Sequence, residues 1–282
     1  MKELDYKFDF IASTGRTATT YIAAILNSFD GVAGCHEGYL DSDKSQNPTL
    51  ELINLENNQA YKSEKLAFEV VEKKRSRYKF IELQKELNVS RIIDVAYYNC
   101  SICTPLLSLH EHSRMLGIIR DCESFVRSAT TIFDEDPLPV GWPDPNKSLT
   151  PREKFISMGR IRPRSDSSEF GHWNEFGAIH RNIWLWKETN KLLCEAKVRF
   201  PSRVCMGRFE SFQSDQHHFW NSLIDFFDLP QTEIDRKNAR SEKINKKPFG
   251  YQIGPASTWT TTELDYLHEC QSYIDELVSY DF

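Results

Sequence analysis

The sequence predicts an α/β protein whose core is a mainly parallel β-sheet flanked by helices. Three observations carry this expectation. Short apolar runs of strand character alternate with stretches of helical periodicity along the whole chain. Each strand ends in polar residues from which a helix sets off, the order that parallel neighbours require. The 282 residues, 40% of them hydrophobic, suffice for one sizeable core.

The elements follow in order. Tyr6–Ala12 (YKFDFIA) is aromatic and β-branched and reads as a buried strand. Ser13–Arg16 is a short loop, and Thr17–Ser28 has helical spacing at Tyr21, Ile22, Ile25 and Leu26. Val32–His36 reads as a second strand, and polar Asp41–Lys65 as loop with a helix over Pro48–Gln59. Phe80–Leu87 is an amphipathic helix, Arg91–Tyr97 a strand, Pro105–His112 a helix with proline at its first position, and Ser113–Ile119 a strand. A helix over Ser124–Phe133 follows. Asp134–Trp173, with six prolines, reads as a long loop with one short helix near Pro151–Met158; such a stretch is either a lid or a surface loop. Asn174–Lys197 is a long helix, Ser202–Met206 a strand, His217–Phe227 a helix, and Thr260–Val278 a final helix that Thr260 or Thr261 can cap, with Glu263 in its first turn.

Composition narrows the function. A formal net charge of −6 argues against general nucleic-acid binding, while leaving room for a local basic pocket. The N-terminus MKELDYKFDF lacks the apolar core of a secretion signal, and no apolar run approaches a membrane span, so a cytoplasmic protein without a membrane partner is expected. Of the seven cysteines only Cys100 and Cys103 lie close together, and one C-x-x-C without a second half supplies too few ligands for tetrahedral zinc. Buried, reduced thiols are expected.

The segment Phe8–Leu26 holds the first functional signal. A buried strand ends, Gly15 turns the chain, and a helix begins with small hydroxylated residues. The first amides of a helix have no intrahelical acceptor, and the helix dipole adds partial positive charge there. This suits phosphate or sulfate. Thr14, Thr17, Thr19 and Thr20 add hydroxyls, and Arg16 adds a permanent positive charge. The segment is not a Walker A loop, because no second glycine and no lysine follow Gly15 at the required offset. An anion held by amides and arginine has no obligatory metal.

A second signal follows the strand MLGII. Arg120 stands at its C-terminal end, where parallel sheets bind ligands, and Ser128 lies eight residues on. An arginine fork and a serine hydroxyl suit a terminal phosphate.

With these residues in view, STGRTATTY resembles the 5′-phosphosulfate loop of the sulfotransferases that use 3′-phosphoadenosine 5′-phosphosulfate, in which a basic residue precedes Ser-Gly-Thr-Thr. Arg16 takes the basic position. Ala18 stands where the family generally has glycine, a change that a backbone in the α region accommodates. IIRDCESFVRSA resembles the family's 3′-phosphate site, with Arg120 and Ser128 at its spacing. The helix and strand ending in Gly207-Arg208-Phe209-Glu210 resemble the family's Arg-Tyr-Glu segment, with phenylalanine for tyrosine. Lys246 and Lys247 fall where a family loop closes over the 3′-phosphate; four basic residues in such a loop are otherwise a solvated run. The resemblance spans most of the chain, with insertions at about 41–90 and 134–173 in a single domain, and implies a P-loop-like sulfotransferase fold. It implies 3′-phosphoadenosine 5′-phosphosulfate as donor and 3′-phosphoadenosine 5′-phosphate as product.

Sulfuryl transfer needs a base for the acceptor's proton and positive charge at the leaving phosphate oxygen. Arg16 suits the second role. For the first, Glu37 follows Arg16 by 21 residues, a spacing that resembles the tyrosylprotein branch, where a glutamate at the matching place is the base. His36 is the competitor, with an ordinary pKa suited to the task. The cytosolic branch uses a histidine on the strand that is RIIDVAYYNC here, which has none; Tyr98 or Asn99 is a candidate acceptor contact instead. Trp142 and Trp173 could line an acceptor pocket, and Asp134, Glu135 and Asp136 would favour a cationic acceptor. A small-molecule acceptor is expected, a guanidinium alkaloid of the saxitoxin type being one that the resemblance suggests, in secondary metabolism. A homodimer stays open. Two rivals remain: a P-loop-like nucleotide kinase, and a non-catalytic nucleotide-binding protein of the same fold.

Overall fold

Five parallel strands form one sheet in the order β2-β3-β1-β4-β5: β1 (Lys7–Ser13), β2 (Val32–His36), β3 (Arg91–Ala96), β4 (Met115–Ile119) and β5 (Val204–Arg208). The computed structural model describes residues 6–40, 47–130, 159–230 and 253–282. The expectations for Asp134, Glu135, Asp136, Trp142, the helix near Pro151–Met158, Lys246 and Lys247 lie outside the described residues.

Strand β1 is central and buried on both faces. Phe8, Phe10 and Ala12 enter one core and Ile11 the other, as the two-residue period of a strand dictates. On the first face lie α3 (Glu64–Lys74), α4 (Arg77–Leu87), α5 (Cys103–Leu109), α6 (Cys122–Thr130), α7 (Ala178–Arg199) and α10 (Thr261–Leu277), whose Val71, Phe80, Leu106, Phe125, Trp184 and Leu267 share that core. On the second lie α1 (Thr19–Leu26) and α9 (Gln216–Phe227), together with the short α8 (Phe209–Ser214). A further short helix, α2 (Asn57–Lys62), precedes α3.

The strand order fixes where a ligand can sit. The connection leaving β1 runs to the far edge at β2, and the one leaving β4 runs the opposite way to β5. A crevice therefore opens between the C-terminal ends of β1 and β4, the usual binding place in such sheets. The loops that start there are Thr14–Ala18 and Arg120–Asp121.

Several boundaries differ from the sequence expectation. No helix covers Pro48–Gln59; helix begins only at Asn57, and α3 occupies a stretch that follows it. The α3 sequence EKLAFEVVEKK buries only Ala67, Val70 and Val71, so its apolar stripe is narrow among charges. Helix α5 starts at Cys103, which puts Pro105 at its third position, still within the first turn that tolerates proline. Helix α6 starts at Cys122 because Asp121 Oδ1 accepts from the Ser124 amide at 2.8 Å, a side-chain cap. Helix α7 starts at Ala178, after Gly177. Thr260 and Glu263 form a reciprocal capping box at α10. His110 is buried: it packs among Phe8, Phe10 and Phe80, with Nε2 2.8 Å from the Arg75 carbonyl oxygen. All seven cysteines are buried and unbridged. No described helix is long and apolar enough to cross a membrane.

Candidate active site at the β1 and β4 strand ends

The loop Thr14–Ala18 has an unusual backbone. Gly15, Arg16 and Ala18 have φ of 84°, 60° and 54°. The sequence reading allowed Ala18 on the condition of right-handed helical backbone; its φ is left-handed instead, which explains why glycine suits this position. Such turns gather successive amides into a concave anion nest.

Four successive carbonyls are occupied by donors. The Cys100 thiol reaches Ser13 O at 3.3 Å, Arg160 Nη1 donates to Thr14 O at 2.9 Å, the Thr14 hydroxyl lies 3.4 Å from Gly15 O, and Arg120 Nη1 donates to Arg16 O at 2.6 Å. The carbonyls of residues 13–16 are therefore already engaged. Ala18 supplies no side-chain cap to α1, so the first turn of that helix keeps the donor end that an anion seeks. Below the loop, Ser13 Oγ accepts from the Gly15 amide at 3.0 Å and from the Thr17 hydroxyl at 2.8 Å. Thr17 thus spends its hydroxyl on bracing the loop.

The two anion motifs meet. Arg16 Nε donates to Ser128 Oγ at 3.0 Å, across 112 residues of sequence. Arg120 is buried, its guanidinium 5.1 Å from the centre of the Phe209 ring, and Trp186 Nε1 donates to its carbonyl at 2.7 Å. Phe209, lacking the family's hydroxyl, offers its ring face to the arginine. Glu210 holds the next residue, accepting from the Asp121 amide at 3.0 Å.

His36 and Glu37 reach the same loop from β2. Strand β2 can approach α1 because residue 34 is glycine: a Cβ there would stand 2.6 Å from Ala23 O. The Asn27 side chain locks the contact, donating to Gly34 O at 3.0 Å and accepting from Gly34 N at 2.7 Å. His36 Nε2 consequently lies 3.2 Å from the Thr19 hydroxyl and 3.3 Å from that of Thr20. Those two threonines, expected on the donor, face His36. Glu37 (φ 49°) and Gly38 (φ 90°) turn the chain back between His36 and Tyr39, whose backbones pair at 2.7 and 3.0 Å. Glu37 Oε1 stands 4.0 Å from His36 Nε2, and its side chain keeps 21% exposure.

Other expected contacts lie elsewhere. Tyr98 is fully buried and its hydroxyl accepts from Arg75 Nη2 at 2.9 Å. Asn99 is fully buried and donates to Ile11 O and Asp94 O at 3.2 and 2.9 Å, tying β1 to β3. Both side chains are parts of the core rather than of the cleft. Trp173 packs edge-on to Trp184 with ring centres 5.1 Å apart, against α7.

Arg160 is the site residue that sequence reasoning missed. It is 8% exposed, its guanidinium lies 4.0 Å over the centre of the Tyr97 ring, and a Cβ on Gly15 would meet its Nη2 at 3.2 Å. Burial pulls its pKa down, and the neighbouring Tyr97 and Glu37 oppose that shift. Nothing in its proline-rich neighbourhood marks it out; only the packing does.

Neither a protein-family profile nor a curated protein sequence matches the chain. Solved structures do. A sulfotransferase from Mycobacterium tuberculosis H37Rv superposes with a TM-score of 0.50 at 12% identity, covering 95% of this chain and 78% of that one. The sulfotransferase domain from the curacin biosynthetic pathway gives 0.48 at 13% identity, covering 98% and 99%. The sulfotransferase domain of the Synechococcus PCC 7002 olefin synthase gives 0.49 at 9%, covering 97% and 96%. The match to the mycobacterial enzyme establishes a shared fold: a parallel sheet flanked by helices.

Proposed function

We propose that this chain, which has the fold of the sulfotransferases, moves a sulfuryl group from 3′-phosphoadenosine 5′-phosphosulfate to a hydroxyl or nitrogen of a small molecule. The observation that carries the reading is the junction of the two anion motifs: Arg16, Ser128 and Arg120 converge at the end of β1, where the carbonyls of residues 13–16 are engaged. Amides and guanidinium groups there fit a nucleotide bearing phosphate at one end and phosphosulfate at the other.

Each residue then has a task. The Thr14–Ala18 loop holds the 5′-phosphosulfate, and Arg120 with Ser128 holds the 3′-phosphate. Glu37 accepts the proton of the attacking hydroxyl or amine as the new bond to sulfur forms. The bond from sulfur to the phosphate oxygen breaks, and Arg16 and the loop amides meet the charge that gathers on that oxygen. His36, fixed by Thr19 and Thr20, sets the position of the β2 turn that carries Glu37. No step calls for a metal. The acceptor is a small metabolite; a guanidinium alkaloid of the saxitoxin type is one candidate.

The test is turnover of the donor with a panel of phenols, aliphatic alcohols, amines and guanidinium alkaloids. Formation of a sulfated product with release of 3′-phosphoadenosine 5′-phosphate supports the reading. Absence of product across the panel, with donor that is bound but never cleaved, would favour a non-catalytic nucleotide-binding protein.

A further inference from the structure

The two stretches outside the family resemblance, about 41–90 and 134–173, meet beside the donor loop. Asn57 Nδ2 donates to Gly159 O at 2.6 Å, and Asn57 Oδ1 accepts from Ser101 Oγ at 2.5 Å. Asn58 Oδ1 accepts from the Arg162 amide at 2.9 Å. Asn54 Nδ2 donates to the Tyr97 hydroxyl at 2.8 Å. Three asparagines of one stretch thus tie residues 159–162 of the other to the turn Tyr97–Cys100 that follows β3. The side chain so placed is that of Arg160.

The guanidinium lies on the donor loop itself. Its Nη1 donates to Thr14 O at 2.9 Å, and its face covers the Tyr97 ring at 4.0 Å. A Cβ on Gly15 would stand 3.2 Å from Nη2 and 3.5 Å from Nη1, so glycine makes the room that the arginine occupies. A guanidinium carries five N–H donors. Thr14 O takes one of them, and the rest meet no hydrogen-bond acceptor among the described residues. Nor does Arg160 form an ion pair with any described carboxylate, although only 8% of it is exposed. The Tyr97 ring face compensates a full charge weakly. A cation so far withdrawn from water is costly unless an anionic oxygen stands beside it.

The topology indicates which anion. Strand β1 lies between β4 and β3. From the β4 side Arg120 Nη1 donates to Arg16 O at 2.6 Å, and Arg120 with Ser128 was read above as the 3′-phosphate site. Tyr97 and Arg160 come from the β3 side. The Glu37 turn is on that side too, since its amide donates to Val95 O of β3 at 3.0 Å. In an in-line transfer the sulfur lies between the attacking atom, which the base serves, and the leaving oxygen, which the loop holds. We propose that Arg160 is a donor-binding residue: its remaining N–H groups take the non-bridging oxygens of the sulfuryl group, so that the site holds the sulfated donor in preference to the spent nucleotide. The proposal rests on the sulfotransferase reading and adds to it a residue that neither anion motif contains.

The experiment is calorimetric titration of the intact chain, without acceptor, with 3′-phosphoadenosine 5′-phosphosulfate and with 3′-phosphoadenosine 5′-phosphate. The two ligands differ only in the sulfuryl group. Arg160→Met weakens binding of the sulfated nucleotide about tenfold or more, the size of a lost charged hydrogen bond, and binding of the unsulfated one by less than about threefold. Arg160→Lys, which keeps the charge without the fork, loses less than about fivefold on the sulfated nucleotide. Equal losses on both ligands overturn the proposal, because a residue that only braces the Thr14 carbonyl affects them alike. Unchanged affinity for both overturns it as well. Should Arg160→Met fail to fold, Asn57→Ala decides. It keeps the guanidinium, loosens the clasp on Gly159, and lowers the ratio of the two affinities about threefold; an unchanged ratio overturns the proposal.

Turnover distinguishes an anion on the donor from one on the acceptor. At subsaturating donor, Arg160→Met slows transfer to phenol and to 4-hydroxybenzoate by the same factor. A loss confined to the carboxylated acceptor, with donor affinity unchanged, moves the arginine to the acceptor site and overturns the proposal. A wild type that binds neither nucleotide overturns the sulfotransferase reading itself. A wild type that binds both, with an Arg160→Met variant that loses the two in step, overturns only the assignment of Arg160.

Discussion

Arg16 and Ser128, which belong to separate motifs in the sequence, form one hydrogen bond of 3.0 Å in the structure. On the proposed function, this bond links the residues that hold the 5′ and 3′ ends of the donor. A hydrogen bond from a charged group contributes about 1.5–3 kcal/mol. Accordingly, Arg16→Ala weakens 3′-phosphoadenosine 5′-phosphate binding by about 30-fold or more and Ser128→Ala by about tenfold. Raising salt from 50 to 300 mM weakens wild-type binding further than it weakens Arg16→Ala, because the variant has one cation fewer to screen. Isothermal calorimetry at the two ionic strengths reads both effects.

Ala18 sits in a left-handed conformation that costs a residue with a Cβ about 1 kcal/mol. Ala18→Gly removes that strain, which the added freedom of glycine in the unfolded chain offsets in large part, so it raises unfolding stability by about 0.5 kcal/mol or less and leaves donor affinity equal or higher. Ala18→Val lowers both. Urea unfolding of the three proteins decides.

The contrast between Ala18 and Arg160 shows which parts of the site the sequence could convey. The strand, the turn at Gly15 and the helix from Thr19 are local features, and so is the run from Arg120 to Ser128; each is written in residues close together along the chain. The conformation of Ala18 is imposed by its surroundings, and alanine carries no mark of it. Arg160 depends on Asn54, Asn57 and Tyr97, all distant in sequence, and sits in a stretch without periodicity. The fate of Tyr98 and Asn99 has the same cause. Both are polar and follow a strand, which reads as cleft, yet Arg75 arrives from the end of α3 to engage Tyr98, and the Ile11 carbonyl of the neighbouring strand engages Asn99 in the core. Helix α3 was hard to read because its buried stripe is only three residues among charges.

Arg75 and Asp94 form a pair with both side chains fully buried. Arg75→Ala strands the Asp94 carboxylate and costs about 3–5 kcal/mol. Replacing both partners with apolar residues, Arg75→Met with Asp94→Leu, costs much less than Arg75→Ala alone. Since Arg75 also bonds Tyr98 and the Glu51 carbonyl, at 2.9 and 2.7 Å, proteolysis of the single variant should begin within residues 47–90. Thermal melts and limited proteolysis measure the two outcomes.

Asp9 gives the fold a pH dependence of its own. Burial pushes its carboxyl up to about 6, against the pull of Arg91 and of the Arg114 amide. The folded chain therefore holds this proton more tightly than the unfolded one. Folding takes up a proton between about pH 4 and 6, and this group's contribution to stability is present at pH 4 and is lost as pH rises through 6. Asp9→Asn abolishes that component, a difference of order 2 kcal/mol between the two ends of the window. The check is the wild-type minus Asp9→Asn difference in urea stability, measured at pH 4.5 and pH 7.

Glu37 and His36 are separated by their variants. Glu37→Gln lowers transfer by about 100-fold or more while 3′-phosphoadenosine 5′-phosphate affinity stays within about threefold. His36→Asn, which disturbs the turn that carries Glu37, lowers turnover by about tenfold and keeps the pH profile of the wild type. Full turnover in Glu37→Gln would move the base to His36. Steady-state rates across pH 5–9 with 3′-phosphoadenosine 5′-phosphosulfate distinguish the two.

The most direct measurement is calorimetric titration of the intact chain with 3′-phosphoadenosine 5′-phosphate, with and without magnesium. The account predicts one-to-one binding of micromolar strength or tighter, equal in both conditions and severely weakened in Arg16→Ala and Arg120→Ala. No heat of binding by the wild type, or magnesium-dependent binding of ATP in its place, would contradict it.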